Sequence, residues 1–455
     1  MSAKAAKSVF LAGICCLAAW MPPLVAQQHD VRLLDAVKRR DDKAFAVLMR
    51  AKADVNASQP DGATALAWAV HLGERGMAEA LLDAGANADT TDEYGETPVT
   101  LAAANGDARL VERLIAAGGN PRATRWNGET AVMIAAGAGS VDTVRQLARH
   151  GADVNAAEPR GGQTALMWAA AEGHTDVVAG LVEIGAKVDA ASKKGFTPLV
   201  FATIKDDVPT IQALLRAGAK PNLAVVSGAT PIIVAMQYHH TAAALALIEG
   251  GADITVRDRA GNTTLHLAAQ AGDEKVVAAL LARHADPNAR TPKSAMAAGP
   301  RGGGGGRGAP AGEQTPLMVA ARGDHEHVMR ALVAAGADPN ARAQDGASVL
   351  MAAASGARLE TFTYAYEIDP HVDVVTRPTG NTIMHVAVGL GGRTQPEVCE
   401  VIQFLADHGA KLDEMNGAGR TPIAVADNLP VDLAVDLLTK LLTERGEKPK
   451  IPSKR

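Results

Sequence analysis

The chain has 455 residues, with 45 Lys and Arg against 50 Asp and Glu, and aromatics make up only 3% of it. A net charge of −5 is small for this length and offers no basic footprint, which argues against nucleic acid as a partner. So few aromatics, with Ala, Leu, Val and Gly dominant, argue against several unrelated enzyme cores and for one small unit used many times.

The first element is a secretory signal over residues 1–26. Lys4 and Lys7 precede an apolar run from Val9 to Trp20, and small-residue chemistry near Ala26 marks a cleavage site. The run falls short of the roughly 20 apolar residues that span a bilayer, and Pro22-Pro23 follows at once. The expected location is therefore periplasmic or secreted, with no stable membrane insertion after cleavage. Cys15 and Cys16 leave with the signal, so Cys399 remains alone. No internal disulfide can form, and packing must hold the exported chain together.

Residues 27–290 then carry eight repeated units. Thr64, Thr97, Thr130, Thr164, Thr197, Thr230 and Thr263 recur at intervals of 33 or 34, and a first unit is centred 33 residues earlier on Val31. Two residues before each Thr stands a glycine such as Gly62, Gly95 or Gly128, the mark of a turn that needs positive φ. The Thr hydroxyl can cap a helix, and Pro98, Pro198 or Pro231 follows at the first helical position, where a missing N–H costs nothing. Five residues after the Thr comes an alanine in every unit, among them Ala36, Ala69 and Ala102, which suits a tight seam between stacked helices. A second helix starts ten residues after the Thr at Asp107, Ser140, His174, Asp207, His240, Asp273 or His325, read as caps. Apolar pairs such as Leu81-Leu82 face the first helix, and Gly85, Gly118 or Gly151 ends the second.

Units such as Gly195-Phe196-Thr197-Pro198-Leu199 and Gly261-Asn262-Thr263-Thr264-Leu265-His266, with ends such as Gly151-Ala152-Asp153-Val154-Asn155, resemble ankyrin repeats. The resemblance implies an all-α solenoid of about twelve units, each a β-hairpin plus two helices, with a concave binding face. It also implies non-catalytic recognition of a protein partner, internal hydrogen bonds for His266 and His385, and recognition positions at the hairpin tips and first-helix ends.

Residues 291–313 interrupt the period with a Gly-rich stretch, Gly302 to Gly306, expected to be disordered and either to loop out or to act as a hinge. Its two arginines, Arg301 and Arg307, are too few for an RNA contact. Units 9–12 resume over 314–445 on Thr315, Ser348, Thr382 and Thr421, and 446–455 form a polar tail. The tenth unit is irregular around 361–366, yet Glu367-Ile368 and Val372-Asp373 match Glu183-Ile184 and Val188-Asp189, which keeps the register and places Phe362 and Tyr366 at buried offsets. The eleventh carries six extra residues near Gly391-Gly392-Arg393, read as a longer helix–helix loop.

Thirteen histidines invite a metal hypothesis, above all the ladder Asp206-Asp207, His239-His240 and Asp273. Units about 10 Å apart cannot share one ion held at about 2 Å, so capping accounts for the ladder better. His325 and His327 point to different helix faces, and His150 and His408 suit helix C-termini. No cofactor, metal or catalytic residue is expected; a hydrolase or metal site in units 10 and 11, or an envelope spacer, are the alternatives, and oligomeric state stays open.

The recognition positions hold Tyr94, Trp126 and Phe196 on hairpins, and His71 and Tyr238 on first helices, flanked by Arg160, Lys193 and Lys194. Exposed Trp and Tyr are typical interface anchors, whereas packing of Trp126 on Tyr94 explains them equally well. Trp68 and Trp168 fall at an offset expected to be core.

Overall fold

A computed structural model of the protein describes residues 30–294 and 312–449. The signal over 1–26, the glycine run with Arg301 and Arg307, and the end of the polar tail lie outside the described residues. Among the described residues there are 24 helices and no strand. They form twelve antiparallel pairs, from Arg32–Lys38 with Asp42–Arg50 to Pro422–Ala426 with Asp432–Glu444.

The start of each first helix follows from its sequence. Thr64, Thr97, Thr130, Thr197, Thr263, Thr315, Ser348 and Thr421 sit in extended backbone and accept the N–H three residues on. Each satisfies a donor the helix itself leaves open. The alanines at the seam are buried in all twelve units, and first helices pack on first helices, second on second. One continuous core runs the length of the stack, so each unit is held chiefly by its neighbours.

Several expectations change. The β-hairpins reduce to single bridges such as Ser58–Thr64, Thr124–Thr130 and Arg257–Thr263, because the turn is too short for a ladder. Of the pairs such as Leu81-Leu82, the first member is fully buried and the second lies at the core's edge. Phe362 is fully buried, but Tyr366 is only partly so, packed edge-on against Phe404 and His408.

The capping reading of the second helices holds for Asp107, Ser140 and Asp273 and fails for His174, Asp207, His240 and His325. An imidazole is too large to fold back on its own helix. The His174, His240 and His325 rings instead donate to the carbonyls of Gly137, Thr203 and Gln270 in the preceding unit, at 3.0, 3.0 and 3.1 Å. Neighbouring rungs touch despite the spacing of the helix axes: the Thr241 hydroxyl donates to Asp273 in the next unit, and the Thr175 and Thr210 hydroxyls meet at 2.8 Å.

A second joint was invisible in the repeat pattern as read from composition. Asn56, Asn155, Asn222 and Asn288, with Asp89 and Asp189, accept a backbone N–H from the following unit. Asn155 also donates to the Gly185 carbonyl at 3.1 Å and Asn288 to that of Gly336 at 2.9 Å. The second of these spans the Gly-rich interruption, so the stack runs on across it. Thr291 and Ser294 pair with Gln314 and Gln344, so the expected disordered stretch over 291–313 reached too far at both ends.

In the eleventh unit the extra residues form the expected loop, and the second helix, Gln395–Asp407, is also longer than the usual nine residues. The loop is filled by Arg393, 5% exposed, whose guanidinium donates to the carbonyls of Ala354, Ala357, Ala387, Gly389 and Leu390. Burial lowers its pKa to about 10, still cationic at neutral pH.

Candidate recognition face

The turn tips come together because units 2 to 8 and 10 to 12 each place a glycine in left-handed backbone two residues before the Thr or Ser, a conformation that Glu313 takes in unit 9. Gly95 has φ 74°, and a Cβ there would stand 2.7 Å from the Trp126 backbone nitrogen; only glycine lets tips 3 and 4 approach so closely. The tips are then tied by backbone bonds. Glu93 N–H donates to Asp61 at 2.8 Å, Trp126 to Tyr94 at 3.1 Å, Lys193 to Gly161 at 2.8 Å and Val226 to Lys194 at 3.0 Å.

Tyr94 and Trp126 project from this ribbon, 59% and 76% exposed. Their rings make no contact with each other among the described residues, so mutual packing does not account for them. A hydrogen bond from the Tyr94 hydroxyl to Glu93 raises the phenol pKa above its usual value. Behind them, Arg125 bridges Glu96 at 2.7 Å and Glu129 at 3.1 Å, which fixes the bases of both tips.

Phe196 departs from its expected role. It is half-buried, with its ring 5.7 Å from that of Phe201, in a small cluster with Val200, Val225, Val234 and Ile204. It is a wall of an apolar patch rather than a free anchor. Trp68 and Trp168 pack against the main core with their Nε1 atoms buried, as their offset predicts, though neither ring is fully buried. Lys38 lies over the Trp68 ring at 4.2 Å and exposed His71 meets its edge at 5.5 Å, so the indole faces the same side as the tips. The reason is position: four residues beyond the Thr, a side chain lies at the border between seam and solvent, and an indole is too large to withdraw.

Tyr238 is exposed and packs on His240 at 5.6 Å. His240 lines a groove of about 680 Å³ between units 7 and 8 together with Met236, His239, Thr241, Asp273 and Lys275. Tyr238 therefore stands beside that groove and not on the tips. Arg160, Lys193 and Lys194 are exposed on tips 5 and 6. The nearby Glu158 turns inward, 7% exposed, and accepts the N–H groups of Arg160, Gly161 and Gln163; the last of its effects is a lowered pKa, by these bonds against the cost of burial.

The histidines of the family pattern behave as the resemblance implied. His266 Nδ1 accepts from the Thr263 hydroxyl at 2.8 Å and its Nε2 donates to the Gln314 carbonyl at 2.9 Å; His385 does the same with Thr382 and Arg420. His150 and His408 follow the ends of second helices. In the irregular tenth unit, fully buried Asp369 accepts from Leu350 N–H and meets Arg342 at 3.5 Å and His371 at 2.9 Å. No three His, Cys, Asp or Glu among the described residues are placed to hold a metal ion. Nor is any described helix long and apolar enough to cross a membrane.

A search of curated proteins finds no match. Family models described as ankyrin repeats match residues 33–118, 99–192, 158–225 and 199–291, and a single ankyrin repeat matches 312–344. Three further helix pairs follow with the same capped starts and the same seam alanines. With well over half its length matched and its helices paired throughout, the chain belongs to the ankyrin-repeat family.

Proposed function

We propose that this chain is a non-catalytic recognition scaffold working in the periplasm or outside the cell, which holds a protein partner along the tips and first helices of units 3 to 7. The observation that carries the reading is Tyr94 and Trp126, large aromatics kept in solvent on a ribbon of tips that is already rigid. Such residues lose little conformational freedom on binding and are enriched among interface hot spots. Tyr238, exposed at the end of the unit 7 first helix, adds an aromatic at the far end of that stretch.

The location outside the cytoplasm rests on Lys4, Lys7, the apolar run to Trp20 and the small residues near Ala26. The reading without catalysis is supported by how the irregular units use their polar groups: Asp369 is held by Leu350 N–H, Arg342 and His371, and Arg393 by backbone carbonyls. Affinity capture from the native exported fraction, with wild-type protein and with Tyr94→Ala/Trp126→Ala, tests the face. Equal capture by both, with equal melting curves, would falsify it, and an intact N-terminus on the exported protein would contradict cleavage near Ala26.

A further inference from the structure

Units 5 to 7 differ from the rest of the tips in carrying an apolar patch and unpaired cations side by side. The patch is the half-buried Phe196 and Ile204 over the small cluster of Val200, Val225 and Val234, extended by Phe201, which packs on the main core and meets the Phe196 ring at 5.7 Å. Val226, 78% exposed, stands on the tip directly after Lys194. Around it, Arg160, Lys193, Lys194 and Lys205 are all exposed, and none forms an ion pair among the described residues. Lys193 spends its ammonium on the Pro159 carbonyl, which leaves its charge in place.

The tips themselves carry one carboxylate here, Glu158, which is turned inward and capped by its own turn; Glu172, Asp206 and Asp207 lie at the ends of the first helices of units 5 and 6, where Asp206 also accepts the Ala243 N–H. The acidic tips of units 2 and 3, by contrast, use Asp61 and Asp92 to close their own turns. Tips 5, 6 and 7 are locked by the backbone bonds from Lys193 to Gly161 and from Val226 to Lys194, so the backbone that carries the tip cations needs little further ordering on binding.

Resting on the recognition reading, we propose that units 5 to 7 dock an acidic peptide segment of the partner that carries a large apolar side chain. The apolar side chain seats on Phe196, Phe201 and Val226, and flanking carboxylates meet Lys194 and Lys205. At physiological salt each of these charges acts on an approaching chain over a Debye length of about 8 Å.

The test uses the full mature chain and a fluorescein-labelled peptide of alternating Asp and Glu around one Phe, read by fluorescence polarisation. Two control peptides replace the acids by Lys or the Phe by Ala. The expected result is binding of the acidic Phe peptide alone, weakened at least ~10-fold by Lys194→Glu/Lys205→Glu and by raised salt. The charge-matched control Lys43→Glu/Lys52→Glu, far from the patch, leaves it unchanged, and equal melting curves report an intact fold. No binding of the acidic peptide, equal binding of the Lys peptide, or indifference to Lys194→Glu/Lys205→Glu overturns the proposal. Partner capture that still depends on Tyr94 and Trp126 in that event leaves the scaffold reading standing; loss of both removes the two together.

Discussion

The Trp126 backbone N–H donates to the Tyr94 carbonyl at 3.1 Å while the two side chains stay apart in solvent. Main chain and side chain thus do separate jobs at adjacent tips, the first joining units and the second left free. Replacing both side chains by Ala should shift stability by no more than about 0.5 kcal/mol, as for other surface changes, and abolish partner capture. Thermal melts beside the capture assay separate the two effects.

Gly95→Ala should be costlier than a surface change. The substitution puts a Cβ into left-handed backbone and within 2.7 Å of the Trp126 nitrogen, a loss of about 1–3 kcal/mol. Gly85, at φ 88° with open space around it, carries only the left-handed backbone part, about 1 kcal/mol. A larger drop in urea midpoint for Gly95→Ala than for Gly85→Ala is the expected order.

Asn155 joins units 5 and 6 through both ends of its amide. Asn155→Ala removes the bonds to Gly185 and Lys187, about 1–2 kcal/mol together, and the effect should stay local in a stack held by nearest neighbours. Hydrogen exchange should rise at the Lys187 amide and hardly at all in units 9 to 12; uniform acceleration would contradict the joint.

Acid should weaken the fold through two buried imidazoles. Burial lowers the pKa values of His266 and His385 below the usual 6.5, partly offset by bonds to Gln314 and Arg420. The unfolded chain therefore binds protons near pH 6.5 that the folded chain refuses. This stabilisation is complete above about pH 6.5 and is lost as pH falls toward the folded values. Urea midpoints should fall between about pH 7.5 and about pH 5, and less steeply in His266→Gln/His385→Gln.

Arg393→Ala should strip five carbonyls of their shared donor in a buried loop, at about 3 kcal/mol or more. Arg393→Lys should not rescue it, since one ammonium cannot span the carbonyls a guanidinium fork reaches. Compared with wild type, limited proteolysis should gain new cuts in units 10 to 12; new cuts confined to units 1 to 8 would argue against this role.

The architecture was legible because period and residue type repeat together: Thr97, Pro98 and Ala102 each state their job by position. What escaped was contact between units. His240 looks like a cap in sequence, and only its distance to Thr203 shows that it reaches backward. Phe196 and Trp68 both end half-buried for a similar reason, since both stand at the border between seam and solvent, where neighbouring side chains decide how much of a large ring is covered. Phe404, which completes the aromatic group around Tyr366, had no signal of its own in a longer helix.

The joint at Asn288 has a practical side. Its partner glycine is Gly336, whereas Asn155 reaches Gly185, yet the two bonds differ by only 0.2 Å, 2.9 against 3.1 Å. Chain length between the halves of a joint is thus immaterial, provided both ends return to the same turn. The stretch between Ser294 and Gly312 is therefore a grafting point: a reporter domain with neighbouring termini, spliced in there, should leave the repeat register untouched on either side.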